Sequence, residues 1–428
     1  MNASVRCNDT QLGQAIGQTF DSQLYFAASS CGNGVFTQLD LPSGTRLVSC
    51  LYEQAITPES CRKFLSVFGT SYAGSLTHRQ AMATMLALYT CQAQARHNLV
   101  AAGCSFSPVH EAYVASLPEQ ILTPLSFNSN EKALLLHTNL AGATQDRENE
   151  WRTDHETVKQ GLPFQSEETE QLLPFSNYLW ACSIISSRAF PSSLIGNDEV
   201  NSHPILFPGV DTLNHSPPSK MLWLKEADRL TLITEQPISA GKQCFNNYGP
   251  KSNEELLLGY GFVIPDNPAD LLAVKLGKPR LPSTTSVSQS NQDDPTQLFT
   301  HLGINTERHI ILRDGVLPIS LLAQMRFYLA DAEEKTLIAQ RAATSCSVEE
   351  VCGFISWDNE LDMLDQLGSM LKLKAQGLEA EILDSDDLHE GRKRMKFGEG
   401  EVLASQGGIM RQEVRQMILI YRQGVSFL

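Results

Sequence analysis

Short-strand pattern stands on both sides of a long helical stretch, and that order limits what this chain can fold into. GNGVFTQLDLPSGTRLVSC (32–50) reads as short strands joined by turns, with Gly32 and Gly34 bracketing one bend and Pro42-Ser43-Gly44 marking another. From about 58 to 185 helical periodicity dominates, as in RQAMATMLALYTCQAQ (79–94). Strands return near 205, and MLWLKEADRLTLITEQPI (221–238) has the form of a hairpin around Glu226-Ala227-Asp228. PISAGKQCFNNYG (237–249) follows as turn, strand, turn. Strands need partners, so the expectation is an α+β fold: a strand-rich unit interrupted by a helical insertion.

The next break is LGKPRLPSTTSVSQSNQDDPTQ (276–297), rich in Ser, Thr, Gln and Pro, which reads as a linker or long exposed loop. Beyond it, residues 298–428 read as a helical domain. LPISLLAQMRFYLADAEEK (317–335) opens on a proline suited to a first helical turn. Leu361, Leu364, Leu367 and Leu371, and later Val414, Met417, Ile418 and Tyr421, recur at helical spacing and read as core. GRKRMK (391–396) beside the acidic EILDSDD (381–387) reads as a solvated loop, with a nuclear import signal as the minor alternative.

Charge and cysteine content exclude several function classes. The 33 Lys and Arg against 48 Asp and Glu leave a formal charge of −15, which argues against a nucleic-acid partner and suits a basic protein substrate. No apolar run reaches the roughly 18 residues of a membrane helix, and MNASVRCNDT lacks a secretory pattern. The ten cysteines are scattered without a Cys-x-x-Cys pair, so no zinc site is expected and a reducing compartment, cytoplasm or nucleus, is.

Four short segments carry the residues suited to chemistry. GNGVF (32–36) lets a backbone approach something closely; SRAF (187–190) sets Arg188 in an apolar run. DTLNHS (211–216) groups Asp211, Asn214 and His215 before the stop at Pro217-Pro218. YGPKSNEELLLGYGF (248–262) repeats Tyr-Gly around a short helix that Ser252 and Glu255 would cap. Singly, each has a bland reading: a turn, a surface ion pair, a polar turn, a pair of packing tyrosines.

In order and together, the four segments resemble the SET-domain methyltransferases. The closer likeness is to the branch typified by Rubisco large-subunit lysine methyltransferase and the fungal ribosomal-protein lysine methyltransferases. That resemblance implies a SET domain over 20–270, split by a helical insertion at about 58–175, then a linker and an all-α substrate-binding domain over 298–428. It implies S-adenosyl-L-methionine as cofactor, no metal, and a monomer acting on a protein with a basic, lysine-containing segment. Carried over by motif, the backbone at Gly32, Asn33 and Gly34 contacts the cofactor and Arg188 bonds its carboxylate. Asn214 and His215 line the same pocket, and Phe262 packs on the adenine. Asp211, on one face of a helical turn with Asn214, braces the site or borders the substrate channel. Tyr248 is the catalytic tyrosine and Tyr260 lines the lysine channel.

Two features depart from the family pattern. No cysteine lies between Cys244 and Cys346, where many histone-directed members hold zinc, and Asn246-Asn247 precede Tyr248 in place of an apolar residue and Ser or Thr. One branch of this architecture methylates histidine, so a histidine acceptor is one alternative, and a catalytically silent binding protein is the other.

Overall fold

The computed structural model describes residues 4–29, 32–196, 200–276, 295–306, 308–383 and 409–426; most of the expected linker and the basic stretch 391–396 lie outside them. The chain divides into two compact units. The first comprises Met1–Phe127, Ala143–Lys251 and Glu255–Phe262; the second comprises Asn128–Gly142, Ser252–Glu254 and Val263–Leu428.

In the first unit, strands far apart in sequence pair across the helical stretch. Arg46–Leu51 pairs antiparallel with Arg229–Thr234, which completes the hairpin with Met221–Lys225. Its turn closes where the sequence indicated, with the Glu226 N–H donating to the Arg229 carbonyl at 2.9 Å. A second sheet runs in the order Val5–Arg6, Leu24–Ser29, Gly32–Thr37, Gln243–Cys244. Gly32–Thr37 is itself a strand, paired residue for residue with Leu24–Ser29, so no bend falls between the two glycines. Alternate strand residues such as Val35, Leu47, Leu230 and Leu232 are fully buried, which fixes the register against one apolar core.

The insertion is helical because its start signals and burial agree. Thr57 and Ser60, and then Thr77 and Gln80, form capping boxes at the heads of the helices Pro58–Leu65 and His78–Tyr89. The second of these is buried at every position from Gln80 to Tyr89. It ends at Tyr89, earlier than the 79–94 pattern suggested, where the Thr90 hydroxyl bonds back to the Ala87 carbonyl at 2.7 Å. The insertion closes with the helix Phe175–Arg188, which delivers Arg188 in its last turn.

Among its described residues the second unit is helical with one strand pair, Leu271–Val274 against His309–Leu312, beyond the all-α expectation. The 317–335 pattern forms two helices, Ile319–Leu329 and Ala332–Ala342, because Asp331 and Glu334 cap a fresh start. Residues 128–142, read as part of the insertion, group with this unit. Buried Glu131 pairs there with Arg411 at 2.7 Å. In the helix Trp357–Leu383, Met363 and Leu367 are buried, while Leu361 and Leu364 are 63% and 51% exposed. The leucine spacing thus gave the helix but not the face it buries.

Candidate active site

The segment 207–216 is built to turn once and then run straight. Phe207 and Val210 anchor it in the core, and Gly209 takes a positive φ of 88° that favours glycine. A single helical turn, Val210–Thr212, then points Asp211 inward. The turn ends before Asn214, since Leu213 is already extended (φ −81°, ψ 122°), so Asp211 and Asn214 do not share a helical face. The extended part lies parallel to residues 246–248. Asn246 N–H donates to the Asn214 carbonyl at 2.8 Å, and Ser216 N–H to the Asn246 carbonyl at 3.0 Å. Two motifs thirty residues apart in sequence are thereby stitched into one floor.

Arg188 and Asp211 meet at one end of that floor. Arg188 Nη1 donates to both the Asp211 carbonyl and its Oδ2, each at 3.0 Å. Tyr113, from the helix Pro108–Ser116, donates its hydroxyl to the same Oδ2 at 2.8 Å. Asp211 is therefore fixed as a brace for Arg188 and is only 7% exposed. Arg188 Nε is buried with no partner, so the Nε edge of the guanidinium is not used by the protein. Burial works against the Arg188 charge, but Asp211 together with Tyr113 and Tyr248 outweighs it and raises its pKa. Burial, then the Asp211 charge, hold the Tyr113 hydroxyl protonated well above the ordinary tyrosine range.

Aromatic side chains from the 248–262 segment converge on His215. His215 and Tyr248 stack with centroids 5.0 Å apart, and Tyr248 stacks on Tyr260 at 5.4 Å. Phe262 lies 6.2 Å from both Tyr260 and His215. Tyr248 is pinned at both ends: its N–H donates to His215 Nδ1 at 3.0 Å and its hydroxyl to the Leu213 carbonyl at 2.8 Å. That bond requires an unprotonated Nδ1, and burial, then the Lys251 charge, lower the His215 pKa accordingly. The Lys251 ammonium lies 5.6 Å from the Tyr260 ring centre.

The Gly-x-Gly strand closes the arrangement. Asn214 Nδ2 donates to the Asn33 carbonyl at 3.1 Å, tying the Asn-His motif to Gly32–Thr37. A side chain at position 34 would meet the Gln243 amide at 2.4 Å, so that amide would have to move aside. All the residues singled out from sequence lie in the first unit: Gly32, Asn33, Gly34, Arg188, Asp211, Asn214, His215, Tyr248, Tyr260 and Phe262. Direct contacts join Asn33 to Asn214, Arg188 to Asp211, and His215, Tyr248, Tyr260 and Phe262 to one another.

Three contributors were not legible. Tyr113 carries no local motif. Asn246, noted only as a departure, is buried, accepts from Trp223 Nε1 at 2.8 Å and orients the start of Asn247. Asn247 donates to the Pro217 carbonyl at 3.0 Å and accepts from Gly249 N–H at 2.9 Å, which fixes the turn carrying Tyr248. No group of three or more His, Cys, Asp or Glu suited to a metal occurs among the described residues, and no described helix is long and apolar enough to cross a membrane.

With this geometry described, the chain can be set beside known proteins. It superposes on a structure of Rubisco LSMT bound to AdoMet with a TM-score of 0.70 at 17% identity, over 97% of this chain and 88% of that one. The SET domain of LSMT bound to lysine and AdoHcy matches over 95% of this chain with a TM-score of 0.69. The fold is a SET fold. In sequence, the chain is similar to ribosomal lysine N-methyltransferase set10 of Schizosaccharomyces pombe, 35% identical over 57% of this chain and 42% of that protein. It is similar to ribosomal lysine N-methyltransferase 1 of Saccharomyces cerevisiae at 30% identity, over 39% of this chain and 34% of the other. The human actin-histidine N-methyltransferase is 26% identical over 72% of this chain and 54% of that protein. The matched stretches thus cover less than half the length of both fungal relatives. No family model matches the sequence.

Proposed function

We propose that this chain methylates a lysine side chain of a protein substrate with S-adenosyl-L-methionine. The observation that carries the reading is the Arg188 guanidinium, pinned through Nη1 while its buried Nε has no protein partner, beside the stacked His215, Tyr248, Tyr260 and Phe262. An unfilled guanidinium edge fits a carboxylate, and the aromatic faces fit a nucleobase and a narrow channel. The fungal relatives named as ribosomal lysine N-methyltransferases support lysine as acceptor and a ribosomal protein as substrate.

In this reading Arg188 holds the cofactor's carboxylate, with Asn214 and the backbone at Gly32, Asn33 and Gly34 beside it. His215 and Phe262 border the adenine. The bound cofactor supplies an electrophilic methyl group. The chain's own task is alignment, an orientation effect that asks for no covalent nucleophile. It must also receive the lysine uncharged, although a free lysine titrates near ~10.4. Tyr248 and Tyr260 wall the approach with ring faces, which disfavours the ammonium by desolvation. The Tyr248 hydroxyl donates to the Leu213 carbonyl, on a turn held by Asn247 and His215, and its oxygen accepts from the amine and holds it in line. The nine cysteines among the described residues are free and mostly buried, which supports a reducing compartment, cytoplasm or nucleus, as the place of action.

Single-turnover transfer of labelled methyl groups to proteins of a cell extract, with the modified residue identified by mass spectrometry, tests this directly. Tyr248→Phe keeps the ring but loses the bond to the Leu213 carbonyl, so it should lower the melting temperature slightly, leave cofactor affinity unchanged and slow transfer at least ~100-fold. Transfer at the wild-type rate would make Tyr248 a packing residue. Label on histidine in place of lysine would move the protein toward the actin-histidine relatives.

A further inference from the structure

The helix Trp357–Leu383 buries one side and leaves a second apolar side uncovered. Asn359, Met363, Leu367 and Leu378 are 1–3% exposed and bind it into the second unit. Its position is locked: Ser356 accepts from Asn359 N–H at 3.0 Å, Asn359 Nδ2 donates to the Arg326 carbonyl at 3.0 Å, and Arg326 forks onto Glu360 at 2.7 and 2.8 Å. Trp357, Leu361 and Leu364, at 74%, 63% and 51% exposure, lie along a different line, within about 60° of one another at 3.6 residues per turn. Phe354, 48% exposed, extends the line with its ring 5.0 Å from that of Trp357.

The spacing of this line specifies what would cover it. Positions 357, 361, 364, 368, 371 and 375 follow one another at alternating four- and three-residue steps, the repeat of a helix–helix seam. They are Trp, Leu, Leu, Gly, Leu and Ala. Gly368 is the informative member. A glycine inside a helix costs about 1 kcal/mol relative to alanine, and a side chain there would meet nothing within 4 Å, so its own fold does not require it. A small residue at a seam lets a second backbone come close.

Charge decides the partner's sign. Asp358, Asp362 and Asp365 run alongside the line, and among the described residues none has an ion-pair partner, whereas Glu360 is taken by Arg326. The cations nearby are Lys372, one repeat beyond Asp365, and Arg341, which donates to the Phe354 carbonyl at 3.2 Å. We infer that the seam Trp357–Leu361–Leu364–Gly368 docks a basic amphipathic helix of another protein. A second copy of this chain would set one aspartate row against another, with −15 on each molecule, which disfavours self-pairing. Four large side chains make a short site, so the association is weak and transient. This inference is independent of the methyl-transfer reading.

The test uses the full chain and a labelled synthetic helix about three heptads long, with leucine at the seam positions and lysine on both flanks. A second probe carries glutamate in place of lysine. Fluorescence anisotropy should give micromolar binding of the lysine probe and at least about tenfold weaker binding of the glutamate probe. The double variant Leu361→Gln/Leu364→Gln should weaken the lysine probe at least about tenfold. The triple variant Asp358→Asn/Asp362→Asn/Asp365→Asn should lower affinity and flatten its salt dependence. All five positions are on the surface, so melting temperatures should hold. Lysine-probe binding that neither variant alters would be general attraction to an acidic surface and would overturn the proposal. A concentration-dependent dimer dissolved by the leucine variant would make a second copy the occupant. Tighter probe binding after neutralising Arg392, Lys393, Arg394 and Lys396 would make it the chain's own basic stretch.

Discussion

Two arginines, one in each unit, are held in opposite ways. Arg422, 2% exposed, spends every guanidinium nitrogen on main-chain carbonyls: Nε and Nη2 on Leu378, Nη2 also on Gly377, and Nη1 on Leu134 and Leu136, at 2.6–3.2 Å. Arg188 spends Nη1 on Asp211 and leaves Nε buried without a partner. A buried donor without a partner costs free energy that the rest of the fold must offset. Arg422 is saturated and therefore structural. Arg188 is ion-paired through Nη1 but keeps one buried donor open, which suits the carboxylate-binding role proposed for it. The same contrast separates Glu131, fully paired to Arg411, from Asp211, whose Oδ1 is also buried and unpartnered.

The first way to break this comparison is to remove Arg422. Arg422→Met keeps much of the volume but strips donors from four carbonyls. The second unit should lose about 3–5 kcal/mol, the larger end of single-substitution effects, because several buried acceptors are orphaned at once. Urea unfolding of the full chain reads this. Cofactor affinity of the folded protein, measured by calorimetry, should stay at the wild-type value. A variant as stable as wild type would mean that saturation does not mark a structural arginine.

How much of this was legible depends on whether the residues act locally. Gly-x-Gly, Asn-His and Tyr-Gly-Phe could be read because each motif presents its groups within a few residues of chain. Tyr113 could not, because its whole contribution is one hydroxyl meeting Asp211 from 98 residues away. The split of the strand-rich unit was legible from pattern, since strand pattern stands on both sides of the helical stretch, and residues 46–51 do pair with a strand beyond it. The phase of the long helix was not: Leu361 and Leu364 satisfy helical spacing as well as Met363 and Leu367 do, and only packing tells the two lines apart. Leu271–Val274 and His309–Leu312 were missed as strands because four-residue runs on either side of a linker have too little pattern to separate from loop.

A smaller effect sharpens the other half of the comparison. Arg188→Lys keeps a cation for Asp211 but removes the planar fork and its open edge. Asp211 stays paired, so the melting temperature should change little. Affinity for S-adenosylmethionine should fall about 10–100-fold, the loss of one charge-assisted pair. Unchanged affinity would show that the orphaned Nε faces nothing that binds.

The smallest effect isolates the brace behind Arg188. Tyr113→Phe preserves the buried ring and deletes only the hydroxyl that donates to Asp211 Oδ2. The carboxylate then has one fence fewer, and Arg188, which depends on it for position, gains freedom. The expected cost is about 1 kcal/mol, or roughly fivefold in affinity for S-adenosylhomocysteine. What distinguishes positioning from packing is the choice of ligand. 5′-Methylthioadenosine carries the same nucleoside and no carboxylate, so it does not use Arg188, and its affinity should be unchanged by Tyr113→Phe. In the double variant with Arg188→Lys the two losses on S-adenosylhomocysteine should fail to add, since both act through one guanidinium. If Tyr113→Phe weakened both ligands equally, the hydroxyl would be supporting the pocket as a whole, and Asp211 would hold Arg188 without help from the helical insertion.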